Sequence, residues 1–226
     1  MANHHRRPER IGHRGAPLEF PENTLPGFLR AVDRGADAVE LDVHRTRDGA
    51  VVVHHDPDLL GLDGARTPIA RLTLADVQGW PLPDAAHVPT LADVMRALRD
   101  DAAVYVELKG EGVGEAAVEV AVEEGHGFAF HGFDHDAVLA LRDRYPELNY
   151  GVLFDAGTRD VVARISDLPV RDLWPHHSLV NRELVEAAHA AGRRVIAWTV
   201  NAPEEARRLT LLEVDGLCGD DVRIFG

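Results

Sequence analysis

Only one cysteine, Cys218, occurs in the 226 residues. It cannot close an internal disulfide, so nothing calls for an oxidising compartment, and it reads as a small buried hydrophobe. No apolar run approaches the ~20 residues of a membrane-spanning helix. Residues 1–10 are polar and basic, without the apolar stretch of a secretory leader. No repeat of fixed period and no low-complexity tract is present. Positive charge is scarce too: 24 Lys and Arg stand against 38 Asp and Glu, a net charge of −14. This excludes the basic patch that nucleic-acid or anionic-membrane binding needs. An anionic substrate stays open, because carboxylates around a metal ion present a positive centre. Hydrophobic residues, by contrast, make up 45% of the chain, enough for a sizeable core and too many for disorder. The expectation is a soluble, cytoplasmic protein, one domain over 1–226, with a small-molecule partner; the oligomeric state is not legible.

Strand and helix periods alternate along the chain. Arg10-Ile11-Gly12-His13-Arg14-Gly15 reads as a short strand breaking into a glycine-flanked turn. Pro21-Glu22-Asn23-Thr24 opens a helix, with Asn23 or Thr24 as cap and Pro26 in the first turn. Leu25, Phe28, Leu29 and Val32 line its apolar face, and Gly35 ends it. An acidic strand follows at 38–44, then an Asp48-Gly49 turn and Val51-Val52-Val53-His54-His55, whose period of two sets His55 opposite His54. From 56 to 89 proline and glycine interrupt the pattern, and this reads as an inserted loop segment with one short helix at 73–78. Thr90 caps a helix bearing Leu91, Val94, Met95 and Leu98. Beyond it, strands are expected at 103–109, 127–133, 149–154, 172–177, 194–200 and 215–219. Helices are expected at 112–125, 135–145, 158–168, 181–192 and 203–213. Eight strands separated by helices point to an α/β closed (β/α)₈ TIM barrel with a reduced final helix. A doubly wound open sheet is the runner-up.

Val39-Glu40-Leu41-Asp42-Val43 carries the first chemical signal. As a strand it puts Glu40 and Asp42 on one face, about 6.6 Å apart along the chain. Two readings fit this stretch alone: half of a site for a hard divalent cation, or a solvated acidic edge strand. In a barrel, functional groups belong at the C-terminal ends of strands. Those ends offer His13 and Arg14, Glu40 and Asp42, His55, and Glu107 with Lys109. Three carboxylates, two histidines and two cations at one mouth point to metal-assisted phosphoryl chemistry. A phosphodiester is anionic and resists attack, so its charge must first be neutralised, and imidazole supplies both protonation states near neutral pH. His54 reads as structural, Asn23 as a helix cap, and His131, His176 and His177 as surface or satisfied groups, although the strand-end positions of His131 and His176 keep both as further candidates.

Gly12-His13-Arg14-Gly15, Pro21-Glu22-Asn23-Thr24, Glu40-Leu41-Asp42, His55-Asp56, Val88-Pro89-Thr90-Leu91, Glu107-Leu108-Lys109 and Trp198-Thr199-Val200-Asn201 occur in this order over nearly the whole chain. Together they resemble the glycerophosphodiester phosphodiesterase family. The resemblance implies a TIM barrel with an insertion after strand two, and hydrolysis of glycerophosphodiesters to glycerol 3-phosphate and an alcohol. It implies one divalent cation, Mg²⁺, Ca²⁺ or Mn²⁺, on Glu40, Asp42 and Glu107, and an acid–base pair in His13 and His55. Arg14 and Lys109 are expected against the phosphate, and Trp198 as a wall of the substrate pocket. Related phospholipases of this barrel superfamily imply attack by a substrate hydroxyl through a cyclic phosphate.

Two rival functions are a lysophospholipase D, which needs an apolar groove for an acyl chain, and a non-catalytic phosphate-binding barrel. The presence of both His13 and His55 counts against the latter. The chain departs from the family pattern at His131-Gly132-Phe133, where Ser-Phe is usual, and at Gly219-Asp220-Asp221-Val222, where Thr-Asp-x-Pro is usual. The Trp80–His87 stretch is also shorter. These departures lie at the mouth and bear on the alcohol side of the substrate.

Overall fold

Thr24 caps the first helix: its hydroxyl accepts from the Gly27 amide, and Pro26 sits in the opening turn, where no amide is needed. Asn23 does not share that role. It adopts a left-handed backbone (φ 57°) and turns its side chain elsewhere. Two further helices open with reciprocal capping boxes, Thr73 with Asp76 and Thr90 with Asp93. These local signals set the helix starts.

The computed structural model describes residues 7–81, 87–125 and 127–226. Residues 82–86, in the shortened Trp80–His87 stretch, and the first six of the basic terminus lie outside the described residues. The strands are β1 (Glu9–His13), β2 (Ala38–Arg45), β3 (Val51–Val53), β4 (Asp58–Leu60), β5 (Arg66–Pro68), β6 (Ala103–Leu108), β7 (Phe128–Gly132), β8 (Tyr150–Phe154), β9 (Asp172–Pro175), β10 (Arg194–Ala197) and β11 (Gly216–Gly219). The helices are α1 (Leu25–Asp33), α2 (Leu74–Gln78), α3 (Leu91–Leu98), α4 (Val113–Glu124), α5 (His135–Arg144), α6 (Val161–Arg164), α7 (Arg182–Ala190) and α8 (Pro203–Leu211). Eight parallel strands run β1-β2-β6-β7-β8-β9-β10-β11, and β1 pairs with both β2 and β11, which closes the barrel. The (β/α)₈ expectation holds, and closure removes the open sheet. A short 3₁₀ turn, Val222–Phe225, stands where a last helix would be.

Three details differ from the sequence reading. Helix 158–168 shrinks to α6 and a 3₁₀ turn, because Asp160 is left-handed and no side chain caps the start. The described part of the 56–89 segment is more ordered than a loop. Its β4–β5 hairpin and α2 close over a small core of Val52, Leu59, Ile69, Val77 and Val88. Finally, β3 stops at Val53, so the two-residue period does not reach His55, whose position is set by the turn that follows. Among the described residues no helix is long and apolar enough to cross a membrane.

The strand period sorts the core into two layers. One set of side chains, including Val39, Leu41, Val104, Val106 and Phe130, packs outward against the helices. The alternate set, Ile11, Ala38, Tyr105, Ala129, Leu153, Trp174, Ile196 and Cys218, fills the barrel. Below that apolar plug lies a polar one. The fully buried Asp172 takes Arg171 at 2.6 Å and Arg194 at 3.4 Å, while the Tyr105 hydroxyl donates to Glu9 at 2.8 Å. Breaking a buried ion pair strands the remaining charge. Asp172→Ala is therefore expected to destabilise by about 3 kcal/mol, a fall of roughly 6–12 °C in Tm. A melt within 2 °C of wild type would count against this network.

Candidate active site

The mouth of the barrel begins with a turn that only glycine permits. After β1 the chain passes through Arg14 (φ 52°) and Gly15 (φ 92°). A Cβ on Gly15 would meet the Gly27 carbonyl carbon at 2.8 Å and the Phe28 amide nitrogen at 2.9 Å, so the turn is wedged against the start of α1. Gly15→Ala is expected to cost at least about 1 kcal/mol and to lower activity as well, since the turn carries His13 and Arg14. Thermal melting alongside turnover checks this; an unperturbed variant would show that the turn yields.

β2 sits between β1 and β6, so its acidic face points into the barrel. Glu40 is 3% exposed and Asp42 fully buried, which overturns the solvated-edge reading. Strand register then assembles the cluster: His13 lies beside Glu40, Asp42 beside Glu107, and Glu107 beside His131. Lys109 reaches back to Glu107 at 3.1 Å and Asp42 at 3.4 Å. The Arg14 amide donates to Glu40 at 3.2 Å, and its guanidinium lies 3.3 Å from Asp42 and 3.1 Å from Glu22. Three buried carboxylates thus face two cations.

That excess of negative charge appears in the titration of the cluster. Burial, then repulsion from Asp42 and Glu107, pushes Glu40 well above the usual carboxylate range. Burial and Asp42 push Glu107 up to about 7. Burial alone would raise Asp42, but Lys109, Arg14 and the Asn23 hydrogen bond hold it low. Lys109 and Arg14, although partly desolvated, are held charged by these carboxylates.

The residues fit a divalent cation. Asp42 Oδ1 is buried and makes no hydrogen bond, its contact being the Lys109 ammonium at 3.4 Å, and Nδ1 of His131 is buried with no hydrogen-bond partner. Among the described residues Glu40, Glu107 and His131 offer three donor atoms, all within 4.8 Å of one another. Oxygen donors with net negative charge suit a hard or borderline divalent ion.

Each histidine of the expected pair leans on a carboxylate. His13 Nδ1 is 2.7 Å from Asp220, which Asn201 fixes in turn through its amide at 2.6 Å. Burial alone would raise Asp220, but the His13 hydrogen bond and charge bring it below the ordinary value. His55 Nδ1 is 2.9 Å from Asp56, which Arg66 contacts at 3.0 Å. Arg66 and His55 hold Asp56 low. Both aspartates stay ionised at neutral pH, so each accepts an Nδ1–H and leaves Nε2 free to exchange a proton. His44 donates from Nε2 to the His55 carbonyl at 3.1 Å and fixes the turn.

Trp198 stands just past β10, its indole N–H donating to the Trp174 carbonyl at 2.8 Å. Its ring packs edge-on against Phe133 and His176. No hydrogen bond or ion pair joins it to the carboxylates among the described residues. His177 pairs with Glu205, and His176 with Ser178.

Four participants escaped the sequence reading. Asn23, taken for a cap, grips Asp42 with both amide atoms, at 2.8 and 3.3 Å. His131, taken for a surface or satisfied group, is 1% exposed and stands 3.8 Å from Glu40. Asp220 and Asn201 orient His13. For His131 the signal was present: the two-residue period of β7 puts it on the inward face, whereas Asp220 lies one residue beyond the end of β11.

Comparison with known proteins bears on the whole chain. The model of the glycerophosphoryl diester phosphodiesterase family matches residues 13–224. A glycerophosphodiester phosphodiesterase of Caldanaerobacter subterraneus is 28% identical over 229 residues, covering 93% of each chain. The crystal structure of the Thermotoga maritima glycerophosphodiester phosphodiesterase superposes with a TM-score of 0.83 at 31% identity, covering 98% of both chains. An Oleispira antarctica phosphodiesterase, solved with its product sn-glycerol 3-phosphate, gives 0.83 at 27% identity, covering 96% of this chain and 95% of its own. This chain therefore belongs to the glycerophosphoryl diester phosphodiesterase family of hydrolases.

Proposed function

We propose that the protein hydrolyses glycerophosphodiesters, such as glycerophosphocholine and glycerophosphoethanolamine, to glycerol 3-phosphate and an alcohol. One observation carries this reading: two histidines, each backed by an aspartate on Nδ1, flank a buried cluster of three carboxylates and two cations. Glu40, Asp42 and Glu107 would hold one divalent ion, Mg²⁺, Ca²⁺ or Mn²⁺. When bound, that ion supplies positive charge against the phosphodiester. Arg14 and Lys109 add fixed charge for the equatorial oxygens, and Trp198 walls the pocket.

The proton work falls to the imidazoles. One takes the proton of the attacking glycerol 2-hydroxyl as its oxygen bonds phosphorus. The other protonates the departing alcohol oxygen as its bond to phosphorus breaks. A cyclic phosphate results, and water opens it with the two roles exchanged, restoring both protonation states. The lone, buried Cys218 supports a cytoplasmic setting.

A panel of small diesters, assayed for choline, ethanolamine or glycerol 3-phosphate release with and without EDTA, tests the reading. Turnover that needs the cation is expected. No turnover on any diester with Mg²⁺, Ca²⁺ or Mn²⁺ present would overturn the activity. Turnover of a substrate lacking the 2-hydroxyl would replace the cyclic route with direct attack by water.

A further inference from the structure

Strand β7 ends in a side chain that the proposed reaction leaves unused. His131 is 1% exposed, and no hydrogen bond reaches either ring nitrogen among the described residues. Its imidazole is stacked on Trp174, with ring centres 4.3 Å apart and planes 2° from parallel, and Tyr105 meets its edge at 6.4 Å. The stack depends on Gly151, where a Cβ would lie 2.8 Å from the Trp174 ring. The ring is thus clamped in one orientation. Nε2 stands 3.8 Å from a Glu40 oxygen, beyond hydrogen-bond distance. A buried polar group without a hydrogen bond costs stability, and a ring nitrogen fixed at this distance from carboxylate oxygens leaves space for a cation between them.

We propose that His131 is a nitrogen ligand of the ion held by Glu40 and Glu107, and that it turns this site toward first-row transition ions such as Mn²⁺ rather than Ca²⁺ or Mg²⁺. The donor atoms of these three residues lie within 4.8 Å of one another. A common point therefore exists within about 2.8 Å of all three, close to the ~2.0–2.6 Å of metal–ligand bonds. Imidazole binds borderline transition ions well and contributes little to Ca²⁺ or Mg²⁺, which prefer oxygen. The inference rests on the metal site proposed above and departs from an all-oxygen ligand set.

Metal-free protein titrated calorimetrically with MnCl₂ and with CaCl₂ tests it, together with pulsed EPR of the Mn²⁺-loaded protein. Wild type is expected to bind Mn²⁺ at least ~10-fold more tightly than Ca²⁺ and to show ¹⁴N coupling to the ion. His131→Ser is expected to lose that coupling and ~10–100-fold in Mn²⁺ affinity, with Ca²⁺ affinity changed less than ~3-fold. His131→Asn, which fills more of the ring's space, serves if the serine variant melts early, and His55→Ala should keep the coupling. Bound Mn²⁺ without ¹⁴N coupling in wild type, or coupling that survives loss of His131, would overturn the inference and leave the carboxylate site standing. If no cation binds at all, the metal site itself fails.

Discussion

Replacing His13 or His55 with alanine is expected to lower kcat on a glycerophosphodiester by ~10²–10⁴-fold, the usual worth of a positioned acid or base, with the fold retained. Neither side chain anchors the structure by itself. Without His13, Asp220 keeps Asn201; without His55, Asp56 keeps Arg66. KM should move little, because the imidazoles exchange protons as bonds change, whereas Arg14 and Lys109 meet charge that the ground state already carries. Asp220→Asn and Asp56→Asn probe the same unit from behind. An amide can still bond the ring, but it can hold the wrong tautomer and no longer stabilises the protonated imidazole, so a loss in kcat of up to ~10⁴-fold is expected with the fold retained. The double variant His13→Ala/His55→Ala should lose less than the product of the single losses, since the two histidines serve one proton circuit. Steady-state kinetics at saturating cation, with circular dichroism as the folding control, decides this. Either single variant at wild-type kcat would remove that histidine from the mechanism.

Chelation with EDTA is expected to abolish turnover and to leave a protein whose stability falls as pH rises from about 5 to 8. The sign comes from the carboxylates. Glu107 titrates at about 7 in the folded chain, against an ordinary value of 4.5, and Glu40 is also raised. Below the ordinary carboxylate value both the folded and unfolded states hold these protons, so stability is undiminished. Between the two values the unfolded chain releases protons that the folded site keeps, and folding stability is lost until pH passes about 7. The loss is on the order of 3 kcal/mol for Glu107. A cation reverses the trend, because deprotonation then supplies its ligands: affinity rises with pH, and a hundredfold excess over Kd adds about 2.7 kcal/mol. Scanning calorimetry from pH 5 to pH 8, with EDTA or with Mn²⁺, reads both effects. A melting temperature indifferent to EDTA at pH 8 would sink the metal site.

Local patterns in the chain determined much of this molecule. The two-residue period put Glu40 with Asp42 and Glu107 with Lys109, because a strand has only two faces and one slip would reverse them all. Thr24, Thr73 and Thr90 marked helix starts through a hydroxyl that must bond a nearby amide, a requirement satisfied within four residues. Eight such strand–helix units leave few ways to bury every apolar face, so the barrel too was legible.

Only the tertiary structure decided which distant groups meet. β1 pairs with β11, and that closure sets Asp220 against His13 across 207 positions. The left-handed backbone at Asn23 aims its amide at Asp42 rather than at a helix end. His55 is placed by a turn beyond β3, where the strand period no longer applies. Gly151 makes room for the Trp174 ring that clamps His131 beside Glu40. In each case the sequence determined the chemistry of a side chain. Its placement came from strand register, barrel closure or a backbone turn, which bring together residues that no local period relates.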